Sequence, residues 1–193
     1  MKVLTFGGSG SGTTTLANAL ANTLGWKHLE ADDYYWRKTD PPYQEKIPLE
    51  ERNAALWADY EAHEGVIISG SPVTWGDHWL GAFDLAVFLW IPPALRMKRL
   101  AAREHERYGD RLQTDEQIQA NSKDFLDWAR QYDDPSFDGK SITQHENWMK
   151  RLHCPVLRLE GDLSVEERVQ QVREKIAVLT VTSQSKSGSK GKN

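Results

Sequence analysis

The chain has 193 residues, 39% of them hydrophobic and 27% charged, which is typical of one globular domain rather than a disordered or fibrous protein. Its 24 basic and 28 acidic residues give a net charge of −4, which excludes a global basic field for nucleic acid binding. No apolar run reaches the roughly 20 residues that span a bilayer, and the single cysteine, Cys154, excludes an internal disulfide, so we expect a cytoplasmic protein that binds neither nucleic acid nor membrane.

Short apolar runs alternate with longer segments of helical periodicity, a pattern typical of βαβ units and a parallel sheet. The fourth run, 84–91 (DLAVFLWI), is apolar on both faces, as expected of a fully buried strand. The acidic and aromatic segment 31–48 is predicted to be an irregular loop. Strands are predicted at 2–6, 27–30, 66–69, 84–91 and 155–160. Helices are predicted in a segment that ends at Gly25, at about 49–63, 94–107 and 115–131, and from Ser141 and Ser164.

Neither a repeat nor a linker divides the chain, so residues 1–182 are predicted to form one domain. Within it, the highly charged segment at about 94–135 is predicted to be a mobile lid. Residues 183–193 contain only Ser, Gln, Lys, Gly and Asn. Because such a composition cannot bury a core, this tail is predicted to be disordered.

A glycine-rich segment, 7–14 (GGSGSGTT), follows the first strand and opens the first helix, which is the context that a P-loop requires. Glycines allow successive backbone N–H groups to surround a phosphate, and the helix adds its positive N-terminal end. In the pattern G-x-x-x-x-G-K-[ST], Gly7 and Gly12 match the glycines and Thr14 matches the hydroxyl that binds magnesium, whereas Thr13 occupies the lysine position. The alternative is an ordinary glycine turn before a helix. The predicted phosphate ligands are Gly8, Ser9, Gly10, Ser11, Gly12, Thr13, Thr14 and Thr15.

The segment 10–15 (GSGTTT) resembles the phosphate loop of archaeal-type cytidylate kinases, in which threonine also replaces the lysine. The resemblance implies a small-molecule kinase of the adenylate and cytidylate kinase type within the P-loop NTPase superfamily. It implies a three-layer α/β fold with a five-stranded parallel sheet of order 2-3-1-4-5, helices on both faces and a helical lid. It also implies ATP, or another nucleoside triphosphate, and Mg²⁺ as cofactors.

Four arginines of the charged helix, Arg96, Arg99, Arg103 and Arg107, are spaced by three, four and four residues and so share one face. Phosphoryl transfer requires cations over the phosphate oxygens, which arginine binds bidentately. The alternative is a solvated face that pairs with neighbouring glutamates. The stretch 99–107 (RLAAREHER) resembles the R-L-x-x-R-x-x-x-R lid segment of adenylate-kinase-like enzymes. The resemblance implies that Arg99 binds the nucleotide and that Arg103 and Arg107 neutralise the transferred group.

Two aspartates, Asp32 and Asp33, follow the second strand, at the edge of the sheet where α/β proteins bind ligands. A kinase that phosphorylates a hydroxyl needs a carboxylate to orient it and accept its proton. The segment 32–35 (DDYY) resembles the D-D-F-[FY] stretch of nucleoside and riboside kinases. The resemblance implies that Asp32 is the base and that Asp33 holds magnesium, as Thr14 does, or binds the acceptor. The alternative is a helix cap or a solvated loop.

Aromatic residues near these aspartates are candidates for stacking on a base or sugar of the substrate. The alternative is that they belong to the hydrophobic core, as most buried tryptophans do. The candidates are Tyr34, Tyr35, Trp36, Trp75 and Trp79.

The third strand ends in the segment 69–73 (SGSPV), which is similar to the D-G-[FY]-P-R segment of nucleoside monophosphate kinases. Ser69 replaces the aspartate and Val73 replaces the arginine that binds the acceptor phosphate, which weakens the case for a nucleoside monophosphate acceptor. After the fifth strand, Gly161 and Asp162 occupy the place where this superfamily surrounds the adenine, so the resemblance implies that they bind the nucleotide.

The sequence therefore predicts a Mg-ATP-dependent kinase whose partners are a nucleoside triphosphate and a small-molecule acceptor. That acceptor is a nucleoside, a nucleotide or a sugar-like alcohol, and the protein is expected to be a monomer or homodimer. The alternative is a regulatory P-loop protein that binds a nucleotide with little or no turnover, which the missing lysine and the absent aspartate favour.

Overall fold

Five parallel strands form one sheet in the computed structural model, which describes residues 1–188 and the side chains of residues 1–182. The strand order is β2-β3-β1-β4-β5, which confirms the predicted fold class. The central strand β1 pairs in parallel with β3 on one side and with β4 on the other. The strands are β1 Lys2–Gly7, β2 Lys27–Glu30, β3 Val66–Ser69, β4 Leu85–Trp90 and β5 Val156–Glu160.

Helices connect the strands, and several begin at the side-chain caps that their sequences contain. Asp115 accepts hydrogen bonds from two backbone N–H groups of the helix that follows it, and Ser141 accepts one from Gln144. Ser164 and Glu167 form a reciprocal capping box. The helices are α1 Thr13–Leu24, α2 Ala31–Tyr35, α3 Leu49–Glu61, α4 Pro93–Tyr108, α5 Arg111–Thr114, α6 Glu116–Arg130, α7 Ile142–Met149 and α8 Val165–Gly188, with 3₁₀ turns at Asp77–Gly81 and Gln131–Asp133.

The structure differs from two sequence-based expectations. The segment 31–48, predicted to be an irregular loop, begins with α2, which continues directly from β2. Its remainder is closed by an antiparallel bridge between Trp36 and Lys46. Helix α8 extends through residues 183–188 of the segment predicted to be disordered, and residues 189–193 lie outside the described part of the chain.

Hydrophobic clusters cover both faces of the sheet, because alternate residues of each strand point to opposite sides. On one face, Phe6 and Phe88 pack with aromatic residues of α3, α7 and the first 3₁₀ turn, among them Trp79. On the other face, Val87 packs against α1 and α8, for example with Leu20. Within the described residues, none of the helices combines the length and apolar character needed to cross a membrane.

Arg96 of α4 is a buried link between the glycine-rich loop and α6, with 1% of its surface exposed. Its guanidinium donates hydrogen bonds to the carbonyl oxygens of Ser9 (3.3 Å) and Ala129 (2.9 Å). It also forms an ion pair with Asp133 at 2.7 Å. Arg96 therefore stabilises the fold. The other three arginines that were predicted to share its helix face are not buried in this way: Arg99, Arg103 and Arg107.

Replacing Arg96 with leucine is expected to lower the free energy of unfolding by about 3–5 kcal/mol, because it leaves the Asp133 carboxylate and two carbonyls without their partner. Urea denaturation followed by circular dichroism measures this loss. The double variant Arg96→Leu/Asp133→Asn is expected to lose less than the single variant, since no uncompensated charge remains. Lys98→Ala, on the exposed side of the same helix, is the control, and equal stability of Arg96→Leu and wild type would contradict this role.

Candidate active site

A cavity of about 1090 Å³ opens where the carboxyl ends of the strands meet, the position at which open α/β sheets bind ligands. Its walls come from the glycine-rich loop, the ends of β2 and β3, helices α4 and α6, and the residues before α7 and α8. Its size matches that of a small-molecule site. The same cavity therefore collects residues from every part of the chain that the sequence analysis singled out.

The glycine-rich loop forms one wall of this cavity. Of its predicted phosphate ligands, Ser11 alone does not line the cavity, since this side chain is 1% exposed. Gly10 and Gly12 adopt positive φ angles of 86° and 94°, which favour glycine. A Cβ at Gly8 would lie 2.9 Å from the ring of Tyr132. The glycines are thus required by backbone conformation and by close packing. The predicted ligands that line the cavity are Gly8, Ser9, Gly10, Gly12, Thr13, Thr14 and Thr15.

Arg168 of α8 is a second arginine that holds this loop. It is 4% exposed, and it donates hydrogen bonds to the carbonyl oxygens of Ser11 at 2.9 Å and of Gly161 at 3.3 Å. Burial lowers the pKa of Arg168, the charge of Arg99 lowers it further, and Asp162 opposes both. The sequence analysis missed Arg168, because nothing local relates a helix residue to a loop 157 residues away.

A hydroxyl and a carboxylate meet at the start of α1. The Thr14 hydroxyl donates a hydrogen bond of 3.0 Å to Oε1 of Glu30, the last residue of β2. Burial raises the pKa of Glu30, and the hydrogen bond from Thr14 lowers it. The sequence analysis did not select Glu30, whereas Asp33, predicted to hold magnesium, is exposed and does not line the cavity.

Three of the four arginines predicted to share one face of α4 line the cavity: Arg99, Arg103 and Arg107. Arg99 forms an ion pair with Asp162 at 2.8 Å. Arg107 pairs with the buried Glu104 at 2.9 Å. In the described part of the chain, Arg103 has neither a hydrogen bond nor an ion pair, and its guanidinium lies 5.6 Å from the centre of the Phe125 ring. Arg103 is therefore the cation of this wall that is free to bind an anion.

Asp32 and Trp36 line the cavity opposite the arginines, whereas the other predicted acceptor residues do not. Tyr34 is turned away, with its hydroxyl donating to Asp59. Tyr35 and Trp75 stack on one another with ring centres 6.1 Å apart. Trp75 is 3% exposed and belongs to the hydrophobic core, which is the alternative that the sequence left open for it.

A lysine that the sequence analysis did not select, Lys140, lines the cavity near Asp32. Burial lowers the pKa of Lys140, and the negative charge of Asp32 raises it. In the sequence, Lys140 precedes the helix cap Ser141 and reads as a surface residue. Only the fold brings it to the cavity.

Of the two residues after β5 that are predicted to bind the nucleotide, Asp162 lines the cavity and Gly161 does not. The Gly161 N–H donates to the Trp90 carbonyl at 2.9 Å, and its own carbonyl accepts from Arg168. Gly161 therefore anchors the turn that presents Asp162.

Two serine–histidine pairs lie at the end of β3. The Ser69 hydroxyl is hydrogen-bonded to Nε2 of His28 at 2.8 Å. Ser71 is bonded to Nε2 of the buried His145 at 2.8 Å, and the Tyr132 hydroxyl is bonded to its Nδ1 at 2.7 Å. Burial lowers the pKa of His145 to about 3. A neutral histidine thus connects the acceptor side of the cavity to the tyrosine that packs under Gly8.

No family model matches the chain. It is 43% identical over 166 residues to the uncharacterized protein YqaC of Bacillus subtilis (strain 168), covering 86% of this chain and 92% of YqaC. A stretch of 55 residues is 38% identical to a probable gluconokinase of Rattus norvegicus, 28% of this chain and 30% of that protein.

Solved structures share the fold at low sequence identity. A shikimate kinase from Bacteroides thetaiotaomicron aligns with a TM-score of 0.55 and 17% identity, over 92% of this chain and 98% of that one. A deoxyadenosine kinase from M. mycoides with bound dATP aligns with a TM-score of 0.53 and 14% identity, over 92% of this chain and 100% of that one. These structures establish the fold, and the archaeal-type cytidylate kinase subtype stays a prediction.

The depressed pKa of His145 makes stability depend on pH. Below its ordinary pKa near 6.5, the histidine takes up a proton in the unfolded chain but not in the folded one. The free energy of unfolding therefore falls as the pH drops from 6.5 towards 3, by up to about 1.4 kcal/mol per pH unit from this group. Urea titrations at several pH values should show a smaller slope for His145→Gln. Identical slopes in the two proteins would contradict this assignment.

Proposed function

The chain belongs to the same protein family as YqaC of Bacillus subtilis, and for this chain we propose the function of a small-molecule kinase. It transfers a phosphoryl group from a nucleoside triphosphate to a hydroxyl of a small acceptor. One observation carries the proposal: a phosphate-binding loop, an unpaired arginine and an exposed carboxylate, Asp32, line one cavity. The similarity to a probable gluconokinase and the fold shared with a shikimate kinase and a deoxyadenosine kinase support the same class of reaction.

The nucleotide binds along the glycine-rich loop in this proposal. Backbone N–H groups between Gly8 and Thr15 hold its phosphates, and Asp162 lies beside the base. Arg99 and Arg103 provide the positive charge that the lysine provides in other P-loops, because Thr13 cannot. Closure of the lid would bring these guanidinium groups over the transferred phosphoryl group, together with Arg107, and exclude water.

The fold implies Mg²⁺, and the donors at the start of α1 fit it. Thr14 and Glu30 offer a hydroxyl and a carboxylate oxygen 3.0 Å apart, the hard ligands that Mg²⁺ prefers. Among the described residues, no group of three or more His, Cys, Asp or Glu side chains could hold a metal by itself. Such a site fits an ion that keeps water and phosphate ligands and neutralises phosphate charge when bound. A role for Asp33 stays a prediction.

The acceptor hydroxyl lies against Asp32 in this proposal. The carboxylate orients the hydroxyl and accepts its proton as the oxygen attacks the terminal phosphorus. The bond between that phosphorus and the bridging oxygen breaks, and the nucleoside diphosphate leaves. Trp36, on the same wall of the cavity, is the aromatic side chain that can contact the acceptor.

The second candidate function is a regulatory protein that binds the nucleotide without turnover. Thr13 in the lysine position favours this function. Ser69 also favours it, because it stands where nucleoside monophosphate kinases have an aspartate and is hydrogen-bonded to His28. Glu30 favours catalysis, because its carboxylate is hydrogen-bonded to Thr14 and can replace the missing aspartate as a ligand of the metal. Turnover decides between the two functions.

Asp32→Asn is expected to lower acceptor-dependent turnover by about 10²–10⁴-fold, because the proton acceptor is lost, and to leave nucleotide affinity nearly unchanged. ADP release from Mg-ATP is measured with pools of nucleosides, nucleoside monophosphates, sugars and hydroxylated acids. Asp138→Asn, which alters an exposed carboxylate that does not line the cavity, is the control and should resemble wild type. Equal turnover in Asp32→Asn and wild type would refute the role of Asp32.

Arg103→Ala is expected to weaken nucleotide binding, turnover or both by at least roughly tenfold, because a charge-assisted contact to phosphate is lost. Calorimetric titration with a non-hydrolysable ATP analogue and steady-state kinetics measure the two effects separately. Lys98→Ala removes an exposed cation from the same helix and serves as the control. If the two variants behave alike, the arginines of α4 form a solvated face.

A further inference from the structure

Two cations near the acceptor side of the cavity have no counter-charge bound to them. Lys140 lines the cavity, whereas Arg52 does not line it and packs on Tyr35, whose ring contacts the lining residue Trp36. Arg52 lies on α3, and Lys140 precedes α7. Across the described residues, neither side chain forms an ion pair or donates a hydrogen bond. Nε of Arg52 is buried without a hydrogen-bond partner. Nε of Arg96 and Nε of Arg168 are likewise without a partner, but the other guanidinium nitrogens of those two arginines donate to backbone carbonyls, whereas those of Arg52 do not.

Aromatic rings hold Arg52 in place. Its guanidinium carbon lies 4.3 Å from the centre of the Tyr35 ring and 4.8 Å from that of Trp75. Trp75 is itself fixed, because the side chain of Asn53 donates a hydrogen bond of 2.7 Å to its carbonyl oxygen. The rings orient the planar guanidinium but provide no acceptor for its N–H groups. The guanidinium of Arg52 is therefore held in one orientation while its N–H groups stay available to a ligand.

Lys140 and Arg52 lie within electrostatic reach of one another. The charge of Arg52 lowers the pKa of Lys140, in addition to the larger effect of burial, whereas Asp32 raises it. Lys46 adds a third positive charge, 5.8 Å from the centre of the Tyr35 ring. Nearby, Glu45 and Glu51 pair with Arg37 rather than with these cations. Neither glutamate therefore neutralises Arg52, Lys46 or Lys140.

We infer that Arg52 and Lys140 bind an anionic group, a carboxylate or a phosphate, of the acceptor whose hydroxyl lies at Asp32. The inference rests on the proposed function and names its substrate class: a hydroxylated acid or a phosphorylated alcohol, rather than a neutral sugar or nucleoside. These cations are assigned to the acceptor and not to the nucleotide, since Lys140 lines the cavity together with Asp32 and Arg52 packs on Tyr35 of α2, whereas the arginines that face the glycine-rich loop lie on α4. Val73 stands after β3 at the position where nucleoside monophosphate kinases have an arginine that binds the acceptor phosphate. In this chain, Arg52 and Lys140 bring positive charge to the acceptor side from two other elements.

Binding of matched ligand pairs tests this site, with a saturating non-hydrolysable ATP analogue present so that the glycine-rich loop is occupied. The pairs are gluconate and glucitol, shikimate and its methyl ester, and adenosine monophosphate and adenosine; inorganic phosphate is the fourth probe. Affinities are measured calorimetrically for wild type, Arg52→Gln and Lys140→Gln, with Lys38→Gln as the control for removal of an exposed cation from the same region. Circular dichroism establishes that each variant is folded, and Lys140→Gln alters a loop residue, so it tests the site even if Arg52→Gln does not fold.

Wild type is expected to bind at least one anionic member more tightly than its neutral partner. Each of Arg52→Gln and Lys140→Gln should weaken that binding by roughly 10–100-fold, the loss of one charge-assisted hydrogen bond. Lys38→Gln should bind like wild type. Preference for a carboxylate pair or for the phosphate probes tells which anion the site takes.

The outcomes separate this inference from the proposed function. Binding of an anion that depends on Arg52 and Lys140, without ADP release in any pool, supports the anion site and contradicts the kinase. ADP release with neutral acceptors alone, unchanged in both variants, supports the kinase and overturns the anion site. The anion site is equally overturned if no anionic probe binds wild type, or if anions bind wild type and both variants with the same affinity.

Discussion

Two buried guanidinium groups hold the backbone of the glycine-rich loop, and the candidate site depends on them. Arg96 of α4 donates to the Ser9 carbonyl, and Arg168 of α8 donates to the Ser11 carbonyl. A loop rich in glycine has more conformational freedom than any other, so its shape must be imposed from outside. The two arginines satisfy carbonyl oxygens that would otherwise repel a phosphate. They also connect the loop to helices that follow it by more than eighty residues, so the cradle forms only when the whole domain is folded.

Charge is distributed around the cavity in a way that compensates for Thr13. A triphosphate and an anionic acceptor need several positive charges, and a P-loop lysine normally provides one of them. In this chain the cations come from separate elements, with Arg99, Arg103 and Arg107 on one wall and Lys140 on another. Asp32 lines the same cavity as both groups. Burial lowers the pKa of Arg103 and that of Lys140, and the negative charge of Asp32 opposes this lowering in each. This arrangement favours a reaction in which two anionic molecules meet over one carboxylate.

The predictions from sequence succeeded where a local pattern determines the structure. Hydrophobic periodicity predicted the five strands and the charged helix α4, and the resemblance of the loop to P-loop kinases implied the strand order. Asp32 and three arginines of α4 line the cavity. They could be predicted because Asp32 follows the end of a strand and the arginines repeat at helical spacing. The prediction of a loop at 31–48 was wrong for its first five residues, which form α2, because no turn residue separates them from β2. Nothing in the sequence around Tyr35 and Trp75 indicates that their rings pack against Arg52.

The sequence by itself determined the class of fold, and it singled out the glycine-rich loop and Asp32, which line the cavity, since these depend on residues adjacent in the chain or at helical spacing. Only the tertiary structure decided which charges meet. Glu30 contacts Thr14, Arg168 reaches the loop across 157 positions, and Lys140 comes to the cavity beside Asp32. The physical reason is that an electrostatic interaction depends on distance through space and on burial, and neither quantity is encoded in the spacing of residues along the chain.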